Sequence, residues 1–470
     1  MSAVVTVDPA TGEQLTEYPA FSDADVDAAL DGAAAAQTGW AALAFAERAA
    51  VLRRTAEVLR AEAEDLAVLV TREMGKPLAE SRAEVEKCAT ACEFYAEHAA
   101  GFLADEPVVT NADRSWIGYE PVGVVLAVMP WNYPLWQVLR FAAPALMAGN
   151  AALLKHSPNT TGCALAVAGV LRDAGAPEGL FTALVVAEPD VPAVTGRLIE
   201  DPRVGAVTIT GSERAGRAVG AASGAALKRS VLELGGSDPF VVLADADLPR
   251  VAALAARGRL LNAGQSCISP KRLVVDAAVA EEFTRLLVAE VEALAVGDPQ
   301  DPGTDVGPMA REDLLEGVHR QVGASVAAGA RLLTGGRRLD RPGTFYAPTV
   351  LAGVRPGVPA YDEEVFGPVA AVVEVDGEDE AVRVANDTRY GLGASVWTAD
   401  PDRGIAVARR IRSGAAFVNA VVASDVRMPF GGTRASGYGR ELAAAGIREF
   451  VNVRTWWVLD EPAATVPASE

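Results

Sequence analysis

One cysteine stands in a setting suited to nucleophilic chemistry. In Leu260-Leu261-Asn262-Ala263-Gly264-Gln265-Ser266-Cys267-Ile268-Ser269 it follows a helix-like run and precedes a proline. Gly264 and Ser266 leave the main chain room to bend and let a substrate come close. Sulfur is a strong nucleophile once ionised, and a thioester formed on it is readily hydrolysed. The plain alternative is a small buried hydrophobe, as free cysteines often are.

Other stretches carry groups that such chemistry needs. In Met129-Pro130-Trp131-Asn132-Tyr133-Pro134, at a strand-to-helix junction, the Asn132 amide is a donor for a developing oxyanion or, equally, a helix N-cap. Glu233, in Val231-Leu232-Glu233-Leu234-Gly235-Gly236, ends an apolar strand. A carboxylate desolvated there has a raised pKa and serves as a general base; the alternative is a strand-end Glu facing water. Lys155, in Lys155-His156-Ser157-Pro158-Asn159, ends another strand and is placed either to meet a ribose or phosphate or to lie solvated. Thr208-Ile209-Thr210-Gly211-Ser212 turns from strand to helix and offers free N–H groups to a phosphate, without G-x-G-x-x-G spacing. Glu364-Val365-Phe366-Gly367-Pro368 and Pro429-Phe430-Gly431-Gly432 set an aromatic beside Gly or Pro, as plain turns also do.

The elements that must position these groups follow from periodicity. Asp8–Gly12 reads as a turn between two strands, Ser22 as an N-cap, and 46–71 as one long helix with Leu52, Leu59 and Leu66 on one face. Gly75-Lys76-Pro77 ends it, and a further helix runs to about His98. Residues 116–129 form two extended segments broken at Pro121-Val122-Gly123. Strands at 151–154, 181–186, 204–210 and 230–234 then alternate with helices at 160–173, 191–200 and 213–223. That alternation means a parallel sheet with ligands at the carboxyl ends of its strands. A second α/β series follows Gly236, with strands at 240–243, 272–276, 331–334, 370–375, 394–398 and 416–419 and helices such as 281–294 and 381–386. An apolar strand at 450–459 would be an open edge, which pairing between subunits covers. The tail 461–470 is polar and is expected to be loose.

The chain has 470 residues and a formal net charge of −20. That balance excludes nucleic acid and an anionic membrane surface as partners, and an anionic substrate needs its own local cation. No signal peptide or membrane span is read. Four cysteines, Cys88, Cys92, Cys163 and Cys267, make no disulfide framework, so a reduced, cytoplasmic protein is expected. With three histidines in all, no metal site is expected.

Taken together and in this order, these motifs resemble the NAD(P)-dependent aldehyde dehydrogenase superfamily, from about Asp8 to Leu459. Met129–Gln137, Leu154–His156 and Glu233–Phe240 carry a closer likeness to its short bacterial succinate-semialdehyde dehydrogenases. The resemblance implies an α/β fold: a Rossmann-type cofactor domain (1–112 and 131–233), an α/β catalytic domain (234–425) and a small β oligomerisation arm (113–130 and 448–460), with 426–447 returning to the cofactor domain. It implies a homodimer or homotetramer. It gives Cys267 to attack on the aldehyde, Asn132 and the Cys267 N–H to the oxyanion, and Glu233 to activation of water. Trp131, Lys155, His156, Ser157, Pro158, Gly211, Ser212 and Leu234 fall along the cofactor site, Glu364 at the nicotinamide ribose and Phe366 near the ring. NAD-preferring relatives often carry Glu where this chain has Pro158. Without that carboxylate a 2′-phosphate is not repelled, so NADP⁺ is expected, with NAD⁺ also accepted. Arg140, two helical turns past Asn132, and Ser424 match donors to a substrate carboxylate, whereas a further Arg of some relatives is Leu261 here. Ser269 leaves no second cysteine beside Cys267. The alternative within the family is a broad enzyme for neutral aldehydes. Glu233 argues against a CoA-acylating relative, and Cys267 and Glu233 together argue against a non-catalytic one.

Overall fold

The protein is described by a computed structural model that covers residues 3–460. The tail read as loose lies outside the described residues. Strands β1 (Ala3–Val7) and β2 (Gln14–Pro19) form an antiparallel hairpin across the Asp8 turn. Ser22 caps the helix Asp23–Ala42 through a reciprocal capping box with Asp25.

The single long helix expected over 46–71 is two helices, Phe45–Ala61 and Ala63–Met74, parted at Glu62. Leu52, Leu59 and Leu66 are all buried in one core. The heptad spacing therefore reports a shared buried face, and it is blind to a break in the axis. Gly75 ends the second helix at φ +82. The helix Leu78–Phe102 follows.

β3 (Glu106–Pro107) and β4 (Arg114–Pro121) begin a small sheet. β5 (Val124–Met129), β6 (Ala151–His156), β7 (Phe181–Leu184), β8 (Val204–Thr210) and β9 (Arg229–Glu233) lie side by side in the order β7-β6-β5-β8-β9, all parallel. Their near-continuous Val, Ala and Leu runs fit strands covered on both faces. The chain reverses direction across this sheet between β5 and β8, the switch point where open α/β sheets bind ligands.

A second sheet contains β10 (Asp238–Val242), β11 (Pro270–Asp276), β12 (Arg331–Thr334), β13 (Thr349–Ala352), β14 (Val369–Val375), β15 (Gly393–Trp397) and β16 (Ala415–Val418), in the order β12-β13-β14-β11-β10-β15-β16. Short β13, just after Pro348, left no readable period. β17 (Gly437–Tyr438) returns to pair antiparallel with β9. β18 (Val451–Val458) pairs along its whole length with β4, completing the small sheet in the order β18-β4-β3. Residues 113–130 thus divide, which corrects their expected assignment to one arm. β4 lies in the small sheet, whereas β5 is central to the six-stranded sheet because its buried, apolar run needs cover on both sides.

Candidate active site

The six-stranded sheet presents the carboxyl ends of its strands to a cleft. The second sheet presents amino ends to it: Cys267 immediately precedes β11, and Glu364 and Phe366 precede β14. The expectation that ligands meet carboxyl ends therefore describes the first sheet only.

The loop carrying Cys267 is held in a strained shape. Asn262, Ala263 and Gly264 all have positive φ (53°, 52° and 72°). Gly264 adopts this freely; Ala263 does not. Several contacts hold the bend. Glu80 accepts the Asn262 N–H at 2.9 Å, and Asn262 Nδ2 donates to the Asn132 carbonyl at 2.8 Å. The buried Arg259 guanidinium donates to Gly264, Val365, Gly367 and Val369 carbonyls, joining the cysteine loop to the Glu364–Phe366 loop. Lys271 Nζ donates to the Ser266 and Cys267 carbonyls at 2.8 and 2.9 Å and lies 3.3 Å from Glu364 Oε1.

Asn132 is not a helix cap, since the next helix, Trp136–Met147, starts four residues on. Its Nδ2 donates to the Gln265 carbonyl at 3.1 Å and its Oδ1 accepts from Gln137 at 3.1 Å, so the amide is pinned beside the cysteine loop. Nδ2 keeps a second hydrogen. Burial pushes the Cys267 thiol up to about 11, with Lys271 and Arg140 opposing.

Cys267 lines a cavity of about 250 Å³ together with Tyr133, Trp136, Gln137, Ile268, Val422 and Phe430. Arg140, Lys87, Ser424, Glu80 and Leu261 also line it. Arg140 pairs with buried Glu441, donates to Thr210 Oγ1 at 3.2 Å and lies 4.8 Å over the Phe430 ring.

Glu233 is 2% exposed, and neither carboxylate oxygen has a hydrogen-bond partner among the described residues. Its pKa is raised well above the usual carboxylate range by burial and then by Glu441, with Arg140 and Arg440 opposing. A side chain at Gly431 would meet Glu233 Oε1 at 2.5 Å, so glycine makes room for this carboxyl. Glu233 lies toward Glu441 and Gly431 rather than on the wall of the thiol cavity.

A neighbouring cleft of about 450 Å³ lies over the first sheet, lined by Lys155, Ser157, Pro158, Glu188, Arg214, Ala215 and Arg311 among others. Lys155 and Arg214 take part in no ion pair among the described residues, and burial lowers Lys155 to about 8. Three cations face one carboxylate here, in a chain of net charge −20. Ser212 caps the helix Glu213–Ala225 by accepting from Ala215 N, and Gly211 N donates to the Glu233 carbonyl. Leu234 is buried against Gly216. Glu364 Oε1 accepts from Gly236 N at 3.0 Å, and Phe366 meets Trp131 edge to face at 5.8 Å.

The sequence profile described as the aldehyde dehydrogenase family matches residues 2–456. The chain belongs to the aldehyde dehydrogenase family. A probable succinate-semialdehyde dehydrogenase [NADP(+)] of Synechocystis is 48% identical over 97% of this chain and 100% of that protein. A succinate semialdehyde dehydrogenase [NAD(P)+] of Escherichia coli is 46% identical over 96% of this chain and 97% of its own length. The crystal structure of a succinic semialdehyde dehydrogenase from Streptococcus pyogenes with NADP⁺ superposes with a TM-score of 0.94 at 36% identity, covering 97% of this chain and 100% of that one.

Within this aldehyde dehydrogenase, the His156 side chain does not reach the cofactor cleft, which corrects the expectation for it. Its Nε2 meets the Pro134 carbonyl at 3.0 Å and its Nδ1 meets Thr160 Oγ1 at 2.9 Å, while burial lowers its pKa to about 4. The alternation of β6 sends Lys155 to the cleft and His156 into the packing behind it. Sequence reasoning missed Lys87, Arg214, Arg259 and Lys271. Arg259 and Lys271 were legible only as charged residues flanking an otherwise apolar stretch, with nothing to show that they turn inward.

Proposed function

We propose that this aldehyde dehydrogenase oxidises succinate semialdehyde to succinate, with NADP⁺ preferred and NAD⁺ also used. The observation that carries the reading is a thiol, the buried Arg140 and the half-buried Lys87 on the wall of one small cavity, largely apolar apart from these and from Glu80 and Glu84, which are held by other partners. An aldehyde with an anionic far end matches that lining. The names of the Synechocystis, E. coli and S. pyogenes relatives support it.

Cys267 Sγ, once ionised, adds to the aldehyde carbon and gives a thiohemiacetal. Its oxyanion takes the free hydrogen of Asn132 Nδ2 and the Cys267 N–H, which makes no hydrogen bond among the described residues. The cofactor supplies the hydride acceptor when bound. Lys155, Ser157 and Arg214 would hold its 2′-phosphate beside Pro158, which brings no opposing charge, and Glu364 with Phe366 and Trp131 would border its nicotinamide end. The oxidised carbon stays on Cys267 as a thioester. Glu233, kept basic by its dry surroundings, takes a proton from the water that cleaves it, after its side chain turns toward the thiol. Arg140 and Ser424 offer donors to the substrate carboxylate. We read the free edge of β18, with Val453 and Trp457 half exposed, as a contact between subunits of a homodimer or homotetramer in the cytoplasm.

The apolar wall, including Leu261, favours a second reading, a broad enzyme for neutral aldehydes. Absorbance at 340 nm with succinate semialdehyde or butanal, and with either cofactor, decides between them. The proposal expects the semialdehyde with NADP⁺ to give the highest kcat/KM and Cys267→Ser to abolish turnover. Equal kcat/KM for both aldehydes would favour the second reading, and full activity in Cys267→Ser would sink both.

A further inference from the structure

Two cations line the thiol cavity, and their electrostatic situations differ. Arg140 has a counter-ion: Glu441 pairs with it, and Thr210 Oγ1 and the Phe430 ring occupy other parts of the guanidinium. Lys87, on the helix Leu78–Phe102, has no acid in direct contact, with Glu84 and Asp425 acting on it only from longer range. It takes part in no ion pair among the described residues. Its Nζ donates to Ser424 Oγ at 2.7 Å and lies 4.4 Å from the centre of the Trp136 ring. An ammonium has three donors, so two remain for a ligand.

The acids nearby are committed elsewhere. Glu84 pairs with Lys76 and accepts the Leu135 and Trp136 N–H groups, both at 2.9 Å. Glu80 accepts the Asn262 N–H. Asp425 pairs with Arg427. A partly buried cation held on a ring and a hydroxyl, facing a cavity and with no acid in direct contact, has its desolvation only partly offset. A carboxylate arriving in the cavity would supply the remainder.

We propose that Lys87, steadied by Ser424 and Trp136, is the principal docking group for the carboxylate of the substrate, and so sets the preference for aldehydes with an anionic far end. Arg140 contributes less because Glu441 already neutralises it. The inference rests on the semialdehyde reading above. Burial lowers Lys87 to about 8, with Arg140 acting in the same direction and Cys88, Glu84 and Asp425 opposing, so an incoming anion would strengthen its hold on the proton.

The test is the ratio of kcat/KM for succinate semialdehyde to that for butanal, with NADP⁺, in wild type, Lys87→Met, Lys87→Arg and Ser424→Ala. Met keeps the length and the contact with Trp136 but removes the charge. The expected result is a fall in the ratio of roughly 30-fold or more in Lys87→Met, carried mostly by KM of the semialdehyde. Lys87→Arg should recover most of it, and Ser424→Ala should lose roughly threefold. A ratio within threefold of wild type in Lys87→Met, equal losses with both aldehydes, or an Arg variant as poor as Met would each overturn the inference. If Lys87→Met does not fold, Lys87→Gln, which keeps a polar side chain but removes the charge, decides by the same ratio and the same thresholds. A wild type that does not prefer the semialdehyde would instead sink the functional reading, before any variant is compared.

Discussion

The two large sheets share a strand order and use it in opposite senses. In the first, β7-β6-β5-β8-β9 steps outward from β5 and offers carboxyl ends to the cleft. In the second, β14-β11-β10-β15-β16 repeats the pattern from β10 but brings amino ends to the same cleft. The difference suits the tasks proposed for each. Carboxyl ends that run into helix starts carry free N–H groups and, at the end of β6, Lys155, a setting for phosphate. Amino ends are fed by loops, and the loop before β11 is bent through three residues of positive φ and fixed by Glu80, Arg259 and Lys271. A strained, over-determined loop holds a nucleophile in one position, whereas a switch point accommodates a long ligand.

If that division of labour is correct, Asn132 is the residue that crosses it, coming from the end of β5 but acting on the cysteine of the other sheet. Asn132→Ala should lower kcat by about 10²–10³ and leave the KM for NADP⁺ within a few fold. A large change in cofactor KM with kcat preserved would put Asn132 on the cofactor side and break the comparison. Pro158→Glu probes the first sheet alone. A carboxylate beside Lys155 and Ser157 should reduce kcat/KM for NADP⁺ about tenfold relative to NAD⁺, an effect of about 1.4 kcal/mol. An unchanged cofactor ratio would remove Pro158 from that role.

The smallest expected effect is in pH. Burial raises both Cys267 and Glu233, and in the proposed mechanism each acts only after losing its proton. As pH rises from 6 to 9 the active fraction of both groups therefore grows, and kcat/KM for butanal should climb across the whole range. Lys87 works in the opposite sense: it is charged below about 8 and neutral above it, with Glu84, Cys88, Asp425 and Arg140 the charged or titratable groups around it. The semialdehyde profile should level off or turn down above pH 8, through KM, where the butanal profile continues upward. Parallel profiles for the two aldehydes would show that the two sides of the cavity titrate as one.

Much of this was written in the chain. The alternation of apolar runs and helices gave both α/β series within a few residues at most boundaries, because buried parallel strands need continuous apolar sequence. Glu233 stood out as a carboxylate ending an apolar strand, Asn132 as an amide between two prolines at a strand-to-helix junction, and Cys267 as a thiol in a loop with Gly264 and Ser266. By contrast, 46–71 concealed a break at Glu62, since two helices on one core keep one period. His156 and Lys155 are adjacent in sequence yet face opposite sides of β6, and only the sheet shows which side meets the cleft.

Lys87 marks the boundary most sharply. In sequence it is one more charge on a helix, 180 residues before Cys267, and its period alone reads as solvated surface. Only the packing of Leu78–Phe102 against Trp136–Met147 sets it beside Trp136 and Ser424, on the wall shared with the thiol. Residue types and local spacing determined which groups could react and which segments would be strand or helix, because those depend on short-range sterics and burial. Which charges face one another, and which lack a counter-ion, was decided by tertiary structure, because Coulomb and desolvation energies depend on distance and burial in space, not on separation along the chain.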